Sequence, residues 1–237
     1  VVTAAYLYRY VKFLQALLQQ TQQASFELSA PLVTLVKLVL GTFTAYQPAL
    51  QDGFSDEARF AFMHDLGNAG TAFRTAVYAG ELGQGAAHVQ KGVLADFLAA
   101  LLPYLEATLA HNRREDGMFH AYNVLKLGDN AMAVAHLDLM LEGQVAILSS
   151  GFLQTQEAVQ LLKAMRDSAL YRADQHSYLL YPDRDLAGFL QKNVVPASAR
   201  KISLLAALLD AEDSRLITQD ILGGLHFNGL IHNERDV

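Results

Sequence analysis

The chain has 237 residues, of which 52% are hydrophobic and 18% are charged, and its formal net charge is −6 at pH 7. The basic residues are scattered, so the electrostatic attraction that drives nucleic-acid binding has no evident source, and we expect no nucleic-acid partner. Cysteine is absent, which excludes disulfides and thiolate chemistry but assigns no compartment, so the localisation stays open.

Two amphipathic helices are predicted at the start of the chain. The first covers about 3–20, where apolar residues recur at spacings of four, three and four: Leu7, Val11, Leu14 and Leu18. The second begins after Ser29, a favourable N-cap, with Pro31 in the first turn, where its missing N–H costs nothing. Gly41 or Pro48 is expected near its end.

The middle of the chain predicts two more long helices. The polar, glycine-bearing segment 64–74 is interpreted as a turn and cap. A third helix follows around Val93–Leu105, and Pro103 should kink or divide it. A fourth helix is predicted from a cap at Asp129 or Asn130 to a stop at Gly151.

The last third of the chain predicts two further helices. The fifth begins at Thr155, with Glu157 near the positive end of the helix dipole, and the sixth follows a cap at Ser198. A strand is suggested only at 177–181, and it is too isolated to make a sheet. We therefore expect an all-α fold of antiparallel helical hairpins, forming a single helical domain or a piece of a larger one over 1–237.

The densest polar and aromatic stretch is 171–184. It combines guanidinium, carboxylate, amide, imidazole and phenol groups, which can hydrogen-bond a hydroxyl-rich ligand and stack on its apolar faces. Its candidate binding residues are Arg172, Gln175, Tyr178, Tyr181 and Arg184. The alternative is a structured loop whose side chains satisfy one another and the nearby backbone.

Two carboxylates stand out in the predicted fourth helix. Asp138 and Glu142 are four residues apart on one face of an apolar segment, and Gly143 follows directly. Like charges at this spacing and a mid-helix glycine both destabilise a helix, so a compensating role is expected. Either a carboxylate faces a cleft as a general acid or base, or Asp138 is solvated and Gly143 allows tight packing.

Two short loops share the order glycine, apolar residue, histidine, aromatic residue and asparagine. They lie at 117–123 and 224–228, and they could present His120, Asn123 and His226 to a ligand as parts of repeated hairpin units. The alternatives are chance similarity and histidines that cap or pack in the core.

Several chemistries have no signature in the sequence. It contains no phosphate-binding glycine-rich loop, no Gly-x-Ser-x-Gly elbow, no His-Glu-x-x-His pair and no calcium-loop pattern. The histidines show no ligand spacing, so we expect no metal and no cofactor.

The longest apolar run and the two chain ends bear on whether the chain enters a membrane and whether it is a fragment. The longest apolar run, Leu32 to Tyr46, contains Lys37 and is shorter than the ~20 residues that cross a bilayer, so no membrane partner is expected. Both chain ends look like cuts, at Val1-Val2 and at Asp236-Val237. We expect a fragment whose partner is the remainder of a parent chain.

Three stretches resemble bacterial enzymes of the six-hairpin glycosidase type: 119–123, 141–151 and 171–184. The resemblance spans roughly Met63 to Val237 and implies part of an (α/α) toroid that binds an oligosaccharide or glycoside in its central cleft. It implies hydrolysis or phosphorolysis of a glycosidic bond, with Asp174 and Glu142 as the catalytic carboxyl groups, their acid and base roles unassigned.

Two other functions stay open at this point. One is a noncatalytic helical-repeat scaffold that binds a protein partner through apolar surface, and the other is a catalytically inactive sugar-binding toroid. An enzyme requires the candidate residues to converge on one pocket, whereas a scaffold would spread them over unrelated surfaces.

Overall fold

The computed structural model describes residues 1–83 and 85–236, apart from the side chain of Leu190. They form two compact units, Val1–Asp183 and Arg184–Val237.

The helices described in the first unit confirm several of the predictions. They are α1 (Val2–Gln20), α2 (Ala30–Ala45), α3 (Gln47–Asp52), α4 (Asp56–Tyr78), α5 (Lys91–His111), α6 (Leu141–Ser150) and α7 (Thr155–Asp167), with a 3-10 turn at Glu81–Gly83. Ser29 is the N-cap residue of α2, with Pro31 in its first turn. At α7, Glu157 accepts a hydrogen bond from the N–H of Gln154 at 2.9 Å. Periodicity and capping signals therefore located α1, α2 and α7 well.

The prediction of an all-α fold is wrong, because antiparallel two-stranded sheets accompany the helices. In the first unit β1 (Ser25–Ser29) pairs with β2 (Ala86–Gln90), β3 (Asn123–Leu127) with β4 (Met132–His136), and β5 (Tyr171–Arg172) with β6 (Ser177–Tyr178). Strands β1 and β2 are far apart in sequence, so no local sequence pattern predicts that they pair. The described part of the chain is therefore mixed α and β.

The predicted fourth helix is partly a β-hairpin. The Gly128 N–H donates to the Ala131 carbonyl at 2.9 Å and closes the turn between β3 and β4. Aspartate and asparagine favour turns as much as helix caps, which is why this turn was mistaken for a cap. Asp138 lies in the connection before α6, so it does not share a helix face with Glu142. The predicted end of this helix at Gly151 is confirmed, since Gly151 follows α6 with the left-handed φ of 77°.

Three smaller predictions also need correction. Residues 64–74 lie inside α4 and are not a turn and cap. Pro103 lies within α5 and does not divide it. Ser198 belongs to a 3-10 turn, Ala197–Lys201, and the residue at the N-cap position of the following helix is Ile202, which makes no side-chain capping bond.

The core of the first unit lies between α1, α5, α6 and α7. Its most deeply buried large side chains are Leu109, Phe119, Ile147 and Leu161. A second, aromatic contact joins α2, α4 and α5: the Tyr104 hydroxyl donates to the Phe43 carbonyl at 2.6 Å, and its ring stacks on Phe62 with centroids 5.3 Å apart. Within the described residues, α5 has the length and apolar composition that could cross a membrane, and its inner face packs in this core.

The second unit is small and has its own core. Its elements are α8 (Phe189–Lys192), α9 (Ser203–Asp210), β7 (Ile217–Gln219) and β8 (Leu225–Phe227), with 3-10 turns at Ala197–Lys201 and Glu234–Asp236. Strands β7 and β8 pair antiparallel. Val195, Ile217 and Leu225 are buried together against α9.

Candidate functional site

An open groove of about 370 Å³ lies at the start of α6. Its walls are formed by Val2, Tyr6, Tyr122, Leu141, Glu142, Val145 and Leu180. Glu142 lies in the first turn of α6, where a carboxylate interacts favourably with the positive end of the helix. Among the described lining residues, a carboxylate and two phenols thus face aliphatic side chains, and this combination suits a hydroxyl-rich ligand.

Tyr122 and Glu142 form the polar centre of this groove. The Tyr122 hydroxyl donates a hydrogen bond to Oε2 of Glu142. This bond raises the pKa of Tyr122 because it stabilises the protonated phenol, and burial and the charge of Glu142 raise it further. Glu142 is exposed, and a carboxylate can accept several hydrogen bonds, so the pair can accept one from a ligand hydroxyl.

Gly143 allows Tyr122 and Glu142 to come together. A Cβ atom at Gly143 would lie 2.9 Å from the Cα atom of Ala121 and 3.1 Å from its nitrogen. Those are backbone atoms, so only glycine lets the first turn of α6 lie against the chain beside Tyr122. Gly143 does pack tightly, but against the backbone of a loop, so the expected packing of two helices at this glycine is wrong.

Gln144 hydrogen-bonds the same loop to α6. Its side chain is fully buried, its Oε1 accepts from the Phe119 N–H at 2.9 Å, and its Nε2 donates to the Phe119 carbonyl at 2.7 Å. Sequence reasoning gave Gln144 no role. The available signal was an amide followed directly by the apolar residues Val145, Ala146 and Ile147.

His120 and Asn123, both predicted to bind sugar, contact His136 of β4. The His120 and His136 rings stack with centroids 3.9 Å apart and planes inclined by 9°. The His136 Nδ1 lies 3.0 Å from the Oδ1 of Asn123. Burial lowers the pKa of His120, and the nearby His136 and Arg114 lower it further.

Asp174 and Arg172 form an ion pair in the turn between β5 and β6. The Arg172 Nε and Nη2 donate to the two Asp174 carboxylate oxygens at 2.8 and 2.7 Å. These hydrogen bonds lower the pKa of Asp174 and raise that of Arg172. Among the described residues that line the groove, Glu142 is present and Asp174 is not.

The remaining predicted residues of this stretch are at the surface. Tyr178 and Tyr181 are 36% and 58% exposed, and the Gln175 Oε1 lies 3.5 Å from the Ser177 hydroxyl. The Leu141 N–H donates to the Leu180 carbonyl at 2.7 Å. This bond brings the end of the tyrosine-rich stretch to the groove, where Leu180 forms one wall.

Two predicted residues belong to the second unit. Arg184 is its first residue. His226 lies in β8, whereas His120 precedes β3, so the two histidine loops are not copies of one structural unit. The His226 Nε2 lies 2.9 Å from the Asp220 Oδ2, and its Nδ1 bonds to the Asn193 carbonyl. Both ring nitrogens therefore contact acceptors, and these hydrogen bonds raise the pKa of His226.

Comparison with known proteins relates the C-terminal part of the chain to carbohydrate-active enzymes. Residues 186–237 match the family model described as GH149 phosphorylase insertion domain 2. The match covers about a fifth of the chain and nearly all of the second unit. It supports a relation to glycoside phosphorylases through a small insertion domain and does not support a toroid. No curated protein matches the chain.

Proposed function

We propose that this chain is part of a glycoside phosphorylase-like enzyme and that the groove at Tyr122 and Glu142 binds sugar. The observation that carries the proposal is the match of residues 186–237 to an insertion domain of phosphorylases. The groove supports it independently, since a carboxylate held by a phenol can accept hydrogen bonds from sugar hydroxyls while the aliphatic wall covers the apolar face of a ring.

In phosphorolysis the two proposed carboxyl groups would have different roles. A phosphate oxygen bonds to the anomeric carbon as the glycosidic C–O bond breaks, and the leaving oxygen takes a proton from an acid. The ion pair with Arg172 lowers the pKa of Asp174, which suits stabilisation of positive charge better than proton donation. Asp174 is not among the described residues that line the groove, so this role requires a sugar that extends beyond Glu142. Glu142 is the better candidate for the acid because it lines the groove and Asp174 does not, and it would have to be protonated itself, with its own hydroxyl replacing that of Tyr122 as the donor between the two side chains.

The other proposed sugar contacts are not among the described residues that line the groove, and Arg184 and His226 belong to the second unit. Tyr178 and Tyr181 have exposed rings that can stack on a sugar face. The remaining proposed contacts are Arg172, Gln175, Arg184, His120, Asn123 and His226.

The test is a turnover assay on the natural full-length protein. Oligosaccharides of several sugars and linkages are incubated with and without inorganic phosphate, and sugar 1-phosphate is measured. We expect phosphate-dependent product, and a loss of about 10²–10⁴-fold in Glu142→Gln if Glu142 transfers the proton. His88→Gln, in β2, is the matched control. Unchanged turnover in Glu142→Gln would remove Glu142 from the mechanism.

A second function, the protein-binding scaffold, is favoured by one face of α1. Tyr6, Tyr10, Phe13 and Leu17 recur at spacings of four, three and four and are 48%, 56%, 58% and 49% exposed. Such an apolar stripe is typical of a surface that meets another protein segment. Absence of any oligosaccharide binding by the full-length protein would favour this function over the enzyme.

A further inference from the structure

The stacked histidines border the chain segment that carries Tyr122. His120 precedes Tyr122 by two residues, and His136 lies opposite Asn123 in the register of β3 and β4. The Leu137 N–H, next to His136, donates to the Tyr122 carbonyl at 3.0 Å. Movement of either imidazole therefore acts directly on the backbone of Tyr122.

We propose that His120 and His136 are positioning residues that hold Tyr122 against Glu142 only while both imidazoles are uncharged. The inference depends on the proposed function for its link to sugar binding, but the positioning itself can be measured without a sugar. Neither histidine touches the reacting atoms in this proposal. They act through the Tyr122 backbone.

Protonation of the pair is opposed by the surrounding groups. Two imidazolium rings with centroids 3.9 Å apart would repel each other. The Nδ1 atom of His120 is buried without a hydrogen-bond partner among the described atoms, so a proton there would lack an acceptor. Loss of the stack then relieves the repulsion and exposes the ring to water.

The charged groups near the two histidines do not offset the cost of protonating them. On the loop of His120, Arg114 disfavours its cationic form and Asp116 favours it, and a hydrogen bond with the backbone of Leu137 also favours the cation. Asp116 is already held by Arg114, with Nη2 and Oδ2 2.8 Å apart. From β3, the neutral amide of Asn123 faces His136. Burial is the largest cause of the opposition to the charged form of His120, and repulsion from His136 is the second.

The direction of the pH effect follows from the lowered pKa of His120. The ordinary histidine value is 6.5, and the stacked state takes up its proton only at lower pH. An opened state binds the proton more readily, so acidification below 6.5 favours opening of the stack. Above that pH the uncharged form of His120 predominates and Tyr122 stays in place.

Hydrogen exchange of the Leu137 amide in the full chain tests the proposal. We expect its protection factor, corrected for intrinsic exchange, to fall by up to about tenfold per pH unit as the pH drops from 6.5 towards the lowered pKa of His120, and to level off below it. His136→Phe keeps an aromatic ring without the charge, so it removes the repulsion and should lose less protection at acid pH than the parent chain, whereas His88→Gln should behave like the parent chain. Equal protection of Leu137 across this range in the parent chain would overturn the proposal.

Turnover separates this inference from the proposed function. If the enzyme proposal also holds, His136→Phe should move the acid limb of the kcat/KM profile to lower pH, a change that a merely structural residue would not produce. If no oligosaccharide is turned over but the exchange result appears, the positioning role stands and the enzyme proposal fails. An unshifted acid limb in an active His136→Phe enzyme counts against the histidines as positioning residues.

Discussion

Replacement of Gly143 by alanine tests whether the close approach of α6 to the loop shapes the groove. The new Cβ atom would lie 2.9 Å from the Cα atom and 3.0 Å from the Cβ atom of Ala121. These atoms belong to or adjoin the backbone and cannot rotate away. Overpacking of this kind costs about 1–3 kcal/mol, while the change from glycine to alanine in a helix returns roughly 0.5–1 kcal/mol. We expect the free energy of unfolding to fall by about 1–2 kcal/mol.

Gly41→Ala is the matched control for this clash. Gly41 lies within α2, and no atom within 4 Å would meet its Cβ. It should stabilise the protein by roughly 0.5–1 kcal/mol. Both variants are compared by urea unfolding, followed by far-UV circular dichroism. If Gly143→Ala were as stable as Gly41→Ala, the contact between Gly143 and Ala121 would not have the role assigned to it.

Three further predictions concern other residues. Gln144→Leu should destabilise the protein by about 1–3 kcal/mol for each Phe119 backbone group left unpaired, measured by urea unfolding; an unchanged midpoint would contradict the role of Gln144. The stabilising effect of His226, whose pKa is raised by Asp220, should be complete below pH 6.5 and be lost as pH rises through the folded-state pKa. The backbone amides of β8, corrected for intrinsic exchange, should exchange faster as pH rises through that pKa. This pH dependence should be absent in His226→Gln. Asp174→Asn should leave the unfolding midpoint unchanged because the carboxylate is exposed, while it lowers turnover if Asp174 stabilises charge; a large shift in midpoint would indicate a structural role.

Local signals predicted part of the fold. The apolar spacing of α1, the Ser29 and Pro31 start of α2 and the Glu157 position in α7 are properties of neighbouring residues, and the structure confirms these helices. By contrast, β1 pairs with a strand that begins at Ala86. That pairing depends on how the intervening helices fold back, which no local window contains.

Single residues of the candidate site could be predicted from the sequence, but their arrangement could not. Glu142 and Gly143 stood out in the sequence because a charge and a glycine are unexpected in an apolar helix. Their arrangement was not visible, because it depends on contact between Gly143 and the backbone of Ala121 and on the pairing of Tyr122 with Glu142. Tyr6 was not singled out, since its place in the groove depends on how α1 packs against α6.

Ligand-dependent hydrogen exchange on the full-length protein, with oligosaccharides of several sugars and inorganic phosphate, tests the central claim most directly. We predict slower exchange at the start of α6 around Glu142 and in the loop around Tyr122, with a smaller effect in Tyr122→Phe. Protection confined to other parts of the chain, or no protection at saturating sugar, would contradict the assignment of this groove to sugar binding.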